Sequence, residues 1–273
     1  MLAGLAGKAM LIAAGAGLGR ASYAALERLA PGGRETWTRT NHRGEPVSLL
    51  SGPALAISAA SSAALGAPAG MRAASLVSGL GAGAVGVYDD IVGQRADQRA
   101  DKGFAGHLGA LREGRVTSGL IKIGGVGLTG LIAAGSVAHG PLDRLVAGGV
   151  IAGTANLLNL LDLRPGRALK ASVLGGVAGL GGPSGTVVAG PVGASLALLP
   201  EDLAEKTMLG DGGANAIGAI LGLRLAAAGG PVWRLGALAG LTALTLASEK
   251  VSFTKVIEQT PVLREVDALG RRR

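Results

Sequence analysis

The residues best placed to do chemistry are carboxylates at the edges of apolar stretches. Asp89 and Asp90 adjoin where the apolar run from Met71 to Tyr88 ends. Asn156, Asn159 and Asp162 close the run that starts at Leu142, and their spacing puts them on one helix face. Asp211 stands among Gly210, Gly212 and Gly213, just ahead of a further apolar run. Two adjacent carboxylates at such a boundary repel each other and lose hydration, so they require a cation, a proton or water. Negative charge is also unfavourable at a helix C-terminus, which argues against a merely solvated helix end. The Asn/Asp stripe either bonds a neighbouring helix or lines a site. Asp211 reads as an N-cap. Its glycines and helix start also offer backbone N–H groups to a phosphate, and its carboxylate suits a metal bridging that phosphate.

A basic loop follows the Asp pair, with Lys102-Gly103-Phe104-Ala105-Gly106-His107 and then Arg112, Arg115 and Lys122. Most of these charges read as a solvated loop. Lys102 is singled out as a phosphate partner because it lies closest to the pair in sequence, and His107 is counted with it as substrate-binding. Together the stretches offer hard oxygen ligands, amides and a lysine. That set suits Mg²⁺, which keeps waters and binds through one or two carboxylates plus substrate phosphate. The chemistry it points to is phosphoryl transfer.

The elements that must position these residues read as an all-α bundle. Hydrophobic residues make up 48% of the 273 positions and charged residues 16%, against about a quarter charged in soluble domains. The apolar residues come in long runs, which points to a polytopic membrane protein. The runs predict about nine transmembrane spans, starting near Leu2, Val47, Met71, Gly119, Leu142, Ala171, Thr186, Gly213 and Val232. The first is expected to be a retained helix rather than a cleaved signal. The 49 glycines suit close helix approach, with small-xxx-small spacing at Gly15/Gly19, Gly79/Gly83, Gly175/Gly179 and Gly236/Gly240. Arginines and lysines concentrate in the long loops and in the polar tail, 249–273. The positive-inside rule then places the N-terminus outside and the tail in the cytoplasm. All three carboxylate stretches fall on the cytoplasmic face of one domain spanning 1–273. With no cysteine there is neither a disulfide framework nor a thiolate metal site. The net charge of +8 is explained by topology and anionic lipid rather than by nucleic acid.

In this order and on this face, the motifs resemble those of the polyprenyl-phosphate N-acetylhexosamine-1-phosphate transferase family. The residues that carry the resemblance are Tyr88-Asp89-Asp90, Asp101-Lys102-Gly103, Asn156 to Asp162, and Met208 to Asn215. It implies a Mg²⁺-dependent enzyme in the plasma membrane that moves a sugar-1-phosphate from a UDP-N-acetylhexosamine to a polyprenyl phosphate. UMP is released, and the product serves cell-envelope glycan (peptidoglycan-type) biosynthesis. By similarity Asp211, Asp89 and Asp90 hold the metal, and one of the pair takes a proton from the lipid phosphate. Lys102 neutralises phosphate charge, and Asn159 and Asp162 complete the groove; Asn156 and His107 are counted as substrate-binding with them. A homodimer is implied as well.

The chain departs from the family pattern at three places. The fifth-span motif continues Asp162-Leu163-Arg164-Pro165-Gly166, without a second Asp. The tail has no histidine, and the first polar loop reads Arg39-Thr40-Asn41-His42-Arg43-Gly44. These departures leave the sugar unspecified. They also motivate a rival reading as a non-catalytic relative that binds polyprenyl phosphate or a partner protein. A small-solute transporter is the other alternative, motivated by glycine-rich packing and polar residues within the spans.

Overall fold

A computed structural model describes residues 2–93, 109, 114 and 117–272. The helices are α1 (Leu2–Leu29), α2 (Ser51–Gly66), α3 (Arg72–Leu76), α4 (Ala82–Val92), α5 (Ser118–Ala134), α6 (Pro141–Leu161), α7 (Arg167–Ala178), α8 (Thr186–Leu203), α9 (Gly210–Ala226) and α10 (Pro231–Ser248). Two short helices, α11 (Phe253–Gln259) and α12 (Pro261–Ala268), end the chain. Proline opens α6, α10 and α12, where its missing N–H costs nothing. A π turn at Val77–Gly81 joins α3 to α4, so one continuous run delivers Asp89 and Asp90. The first polar loop contains a small hairpin, β1 (Thr38–Thr40) antiparallel to β2 (Pro46–Ser48). Ser48 then hydrogen-bonds to the backbone of Lys206 and Met208, which fixes the hairpin against the approach to α9.

At the centre is α9. Every residue in it except Asp211, Arg224 and Leu225 is buried, packed by α6, α4 and α2. A helix that is apolar all round must be enclosed, by protein or by lipid; here α9 is enclosed by its own chain. Glycine permits the approach. A Cβ at Gly218 would lie 2.6 Å from Ala155 Cα, and one at Gly222 would lie 2.7 Å from Ile151 Cα. The same device seats α1 on α8, where a Cβ at Gly15 would collide with Gly190 O and one at Gly193 with Ile12 O. The glycine pairs do not all behave alike. Gly79 and Gly83 meet Ala60 and Ala56, whereas Gly236 and Gly240 have nothing within 4 Å. Away from the carboxylates, Arg234 is buried and pairs with Asp143 at 2.6 Å while donating to Ala226 O. Its charge ties turns together and is not a topology signal.

The expected nine-span bundle is not what the chain forms. Helices do lie where the apolar runs were read. Among the described residues, however, only Gly4–Leu29 and Pro141–Leu161 are long and apolar enough to cross a membrane. A bilayer core requires about 20 residues of helix, whereas α2 has 16, α5 and α9 have 17, and α7 has 12. Two prolines lie inside α8, whose last turn carries Glu201 and Asp202. Much of the apolar sequence read as membrane-spanning is enclosed by the chain itself, as α9 demonstrates. The orientation deduced from nine alternate crossings, with the N-terminus outside and the tail cytoplasmic, falls with them. Of the two qualifying helices, the first is close to the N-terminus with 11% of its window buried, and the second has 39% buried.

Candidate active site

Four elements bring the carboxylates together. The end of α4 supplies Asp89 and Asp90, the end of α6 supplies Asn159 and Asp162, and the first turn of α9 supplies Asp211. Near its start, α5 adds Lys122, one turn beyond the N-cap Thr117. None of these groups lies inside the two candidate spans except Asn159, close to the end of α6.

Lys122 is the hub. Its ammonium lies 2.9 Å from Asp89 Oδ2 and 2.6 Å from Asp211 Oδ2. Asp211 Oδ1 accepts a hydrogen bond from the Asn159 amide, and Ser118 bonds to Asp89. The two carboxylates of this pair are thus held on either side of one cation, each with a second polar partner.

Asp90 does something different. Its two oxygens accept the backbone N–H of Asp211 at 3.0 Å and of Gly212 at 2.9 Å. It therefore caps α9 from another helix, filling the anion position that the helix start offers. The N–H groups expected to hold a phosphate are taken by Asp90 itself. Gly210 makes room for this: its φ is +60° and a Cβ there would lie 2.8 Å from Asp90 Oδ2. From the hairpin, Arg39 donates to the Asp90 carbonyl oxygen. Burial, and then the Asp211 charge, push the Asp90 carboxyl up to about 7, against the pull of the two N–H groups and Arg39.

Asp162 accepts the N–H of Gly210, so it touches the same turn from below. Burial first, then the charges of Asp202, Asp90 and Asp211, raise it well above the usual carboxylate range. Asp202 is buried at 2% exposure and accepts the Gly166 N–H at 2.5 Å.

Of the residues singled out from sequence, Asp89, Asp90, Asn159, Asp162 and Asp211 converge. Asn156 does not join them: its amide donates to Thr245 on α10 at 3.2 Å. Lys102 and His107 lie outside the described residues. Sequence reasoning passed over Lys122, Arg39 and Asp202. For Lys122 the signal was present, since it is a lone lysine inside an apolar helix, a position that marks function by default.

Among the described residues no group of three or more His, Cys, Asp or Glu is arranged to hold a metal ion. The Asp89/Asp211 pair nonetheless presents hard oxygens converging on one cation. Mg²⁺ accepts such a set when one or two carboxylates are completed by phosphate oxygens and water. In comparison with known proteins, no family model matches the chain and no curated protein matches it. The resemblance described above therefore rests on the motif residues.

Proposed function

We propose that the chain is a phosphoglycosyl transferase of the cell membrane, with its site open to the cytosol, the side from which a UDP-sugar comes. It transfers a sugar-1-phosphate from a UDP-N-acetylhexosamine to a polyprenyl phosphate, for cell-envelope glycan synthesis. The observation that carries this reading is the convergence of Asp89, Asp211, Asn159 and Lys122 from four elements on one point. The membrane setting is supported by the outer helices, which expose large apolar side chains: Leu128 and Ile132 on α5, Leu235 and Leu246 on α10, and Met10 on α1. Exposed apolar surface on this scale marks contact with lipid or protein.

The reaction needs little covalent help from protein; it needs charge and position. An oxygen of the lipid phosphate attacks the sugar-linked phosphorus of the donor. The bond to the UMP oxygen breaks, UMP leaves, and a lipid-linked diphosphate sugar remains. Lys122 neutralises phosphate charge, the role first given to Lys102. Asn159 orients Asp211, and Asp90 holds the turn that carries it. Asp89 and Asp211 are the residues that would hold Mg²⁺, which supplies charge neutralisation to the phosphates when bound.

Purified full-length protein in detergent, given undecaprenyl or decaprenyl phosphate and a panel of UDP-sugars, is expected to release UMP with one donor only when Mg²⁺ is present. No release with any donor would overturn the reading. In that case retained binding of the lipid phosphate would favour the non-catalytic alternative, in which Lys122 permanently closes the carboxylate pair.

A further inference from the structure

Away from the carboxylates, the end of the chain meets α8 along an open groove of about 480 Å³, a volume within the range of small-molecule sites. Its apolar wall is Leu196, Leu199 and Leu203. Their spacing of three and four residues places them on one face of α8. Leu196 is 45% exposed, so the groove opens sideways along the helix.

The other end of the groove is cationic, with Arg271 and Arg272 in its lining. Arg271 is fixed in place, donating to Pro165 O at 2.9 Å and to Asp267 at 2.6 Å. Arg272 pairs with Glu45, and the two side chains are 51% and 40% exposed. An exposed pair of this kind contributes little to stability, so an incoming anion displaces Glu45 at small cost. On another face, α8 carries α1, the less buried of the two candidate spans. That helix packs along α8, and Arg20 pairs with Glu201 beside Pro200. An apolar groove that ends in two guanidiniums has the charge and polarity order of an anionic lipid.

We propose that this groove binds an anionic phospholipid, with an acyl chain along Leu196, Leu199 and Leu203 and the headgroup phosphate at Arg271 and Arg272. The proposal is independent of the transferase reading, because UMP release plays no part in its test.

Native mass spectrometry of the detergent-purified full chain tests it, with added phosphatidylglycerol or phosphatidylcholine. Phosphatidylglycerol should be retained over phosphatidylcholine by about fivefold for each arginine engaged. Arg272→Gln should reduce that preference by about fivefold. Leu196→Gln should lower retention of both lipids. Both positions are exposed, so both variants should melt with the parent. Equal retention of the two lipids by the parent would overturn the proposal. So would an unchanged preference in Arg272→Gln, unchanged retention of both lipids in Leu196→Gln, or complete displacement of phosphatidylglycerol by inorganic phosphate, which would make this a free-phosphate site.

Discussion

The Lys122 ammonium lies 2.6 Å from the Asp211 carboxylate, although 89 positions separate the two residues. The same ammonium reaches Asp89, so one cation joins α5 to both α4 and α9. Of the adjacent pair read from sequence, Asp89 has this cation as its partner, whereas Asp90 is held by backbone N–H groups.

Replacing Lys122 should therefore stop turnover before it harms the fold. Lys122→Met leaves Asp89 and Asp211 facing each other without a cation and removes the charge opposite the phosphates. UMP release should fall by about 10²–10³-fold, the usual loss of one preorganised electrostatic group. Lys122→Arg keeps the charge in a larger, planar group and should recover part of the rate. The check is a steady-state UMP assay on both variants. Lys122→Met at parental rate would remove this residue from the site.

Asp90 should behave as a structural cap. Asp90→Ala leaves the N–H groups of Asp211 and Gly212 without their acceptor at the start of a buried helix. The expected cost is about 1–3 kcal/mol, read as a lower Tm in detergent. Asp90→Asn retains one carbonyl acceptor and should lose less. Equal melting of Asp90→Ala and the parent would show that water replaces the cap.

How much of this was legible in sequence differs between the helices and their surroundings. The apolar runs located the helices well, because helix length and hydrophobicity are written locally. Whether α9 is wrapped by lipid or by α2, α4 and α6 is not local information, and there the span reading failed. At the site, Asp89, Asn159 and Asp211 were legible because carboxylates and amides are conspicuous at apolar edges. Lys122 was passed over because sequence proximity to the Asp pair, which singled out Lys102, does not report a residue brought in by a later helix; Lys102 itself lies outside the described residues. The cap made by Asp90 was invisible, since it depends on the backbone at Gly210 adopting a positive φ.

Glycine positions should divide by what lies opposite them. A Cβ at Gly86 would collide with the Asp211 carbonyl oxygen and sit 2.6 Å from Gly212 N. Those are backbone atoms that cannot rotate away, so Gly86→Ala must push α4 off the first turn of α9. A loss of about 1–3 kcal/mol is expected from the overpacking, with reduced UMP release because Asp211 moves. Gly124, in α5, has nothing within 4 Å. There Gly→Ala should raise stability by up to about 1 kcal/mol through helix propensity alone. Thermal melts of the two variants side by side make the comparison, and a rise for Gly86→Ala would contradict the packing described.

The tail should be released by acid through Asp267. Arg167 holds this carboxylate at 2.8 Å, and Arg271 holds it at 2.6 Å. Burial acts to raise the Asp267 carboxyl, but the bonds and charge of Arg167, followed by those of Arg271, outweigh it and keep the group below its ordinary range. A carboxyl depressed in the folded state contributes stability that is fully present above its unfolded value, about 3.9. That contribution is lost as pH falls through the lower, folded value. Asp267→Asn removes the charge and leaves Arg167, itself 5% exposed, without its carboxylate. Breaking a buried pair in this way costs about 3–5 kcal/mol. At pH 7 the variant should expose segment 249–273 to protease much faster than the parent. Between pH 4 and 2 the parent's advantage should shrink, because its own Asp267 takes up a proton. A gap in cleavage rate that stayed constant from pH 7 down to 2 would show that the Arg167–Asp267 charge does not hold the tail.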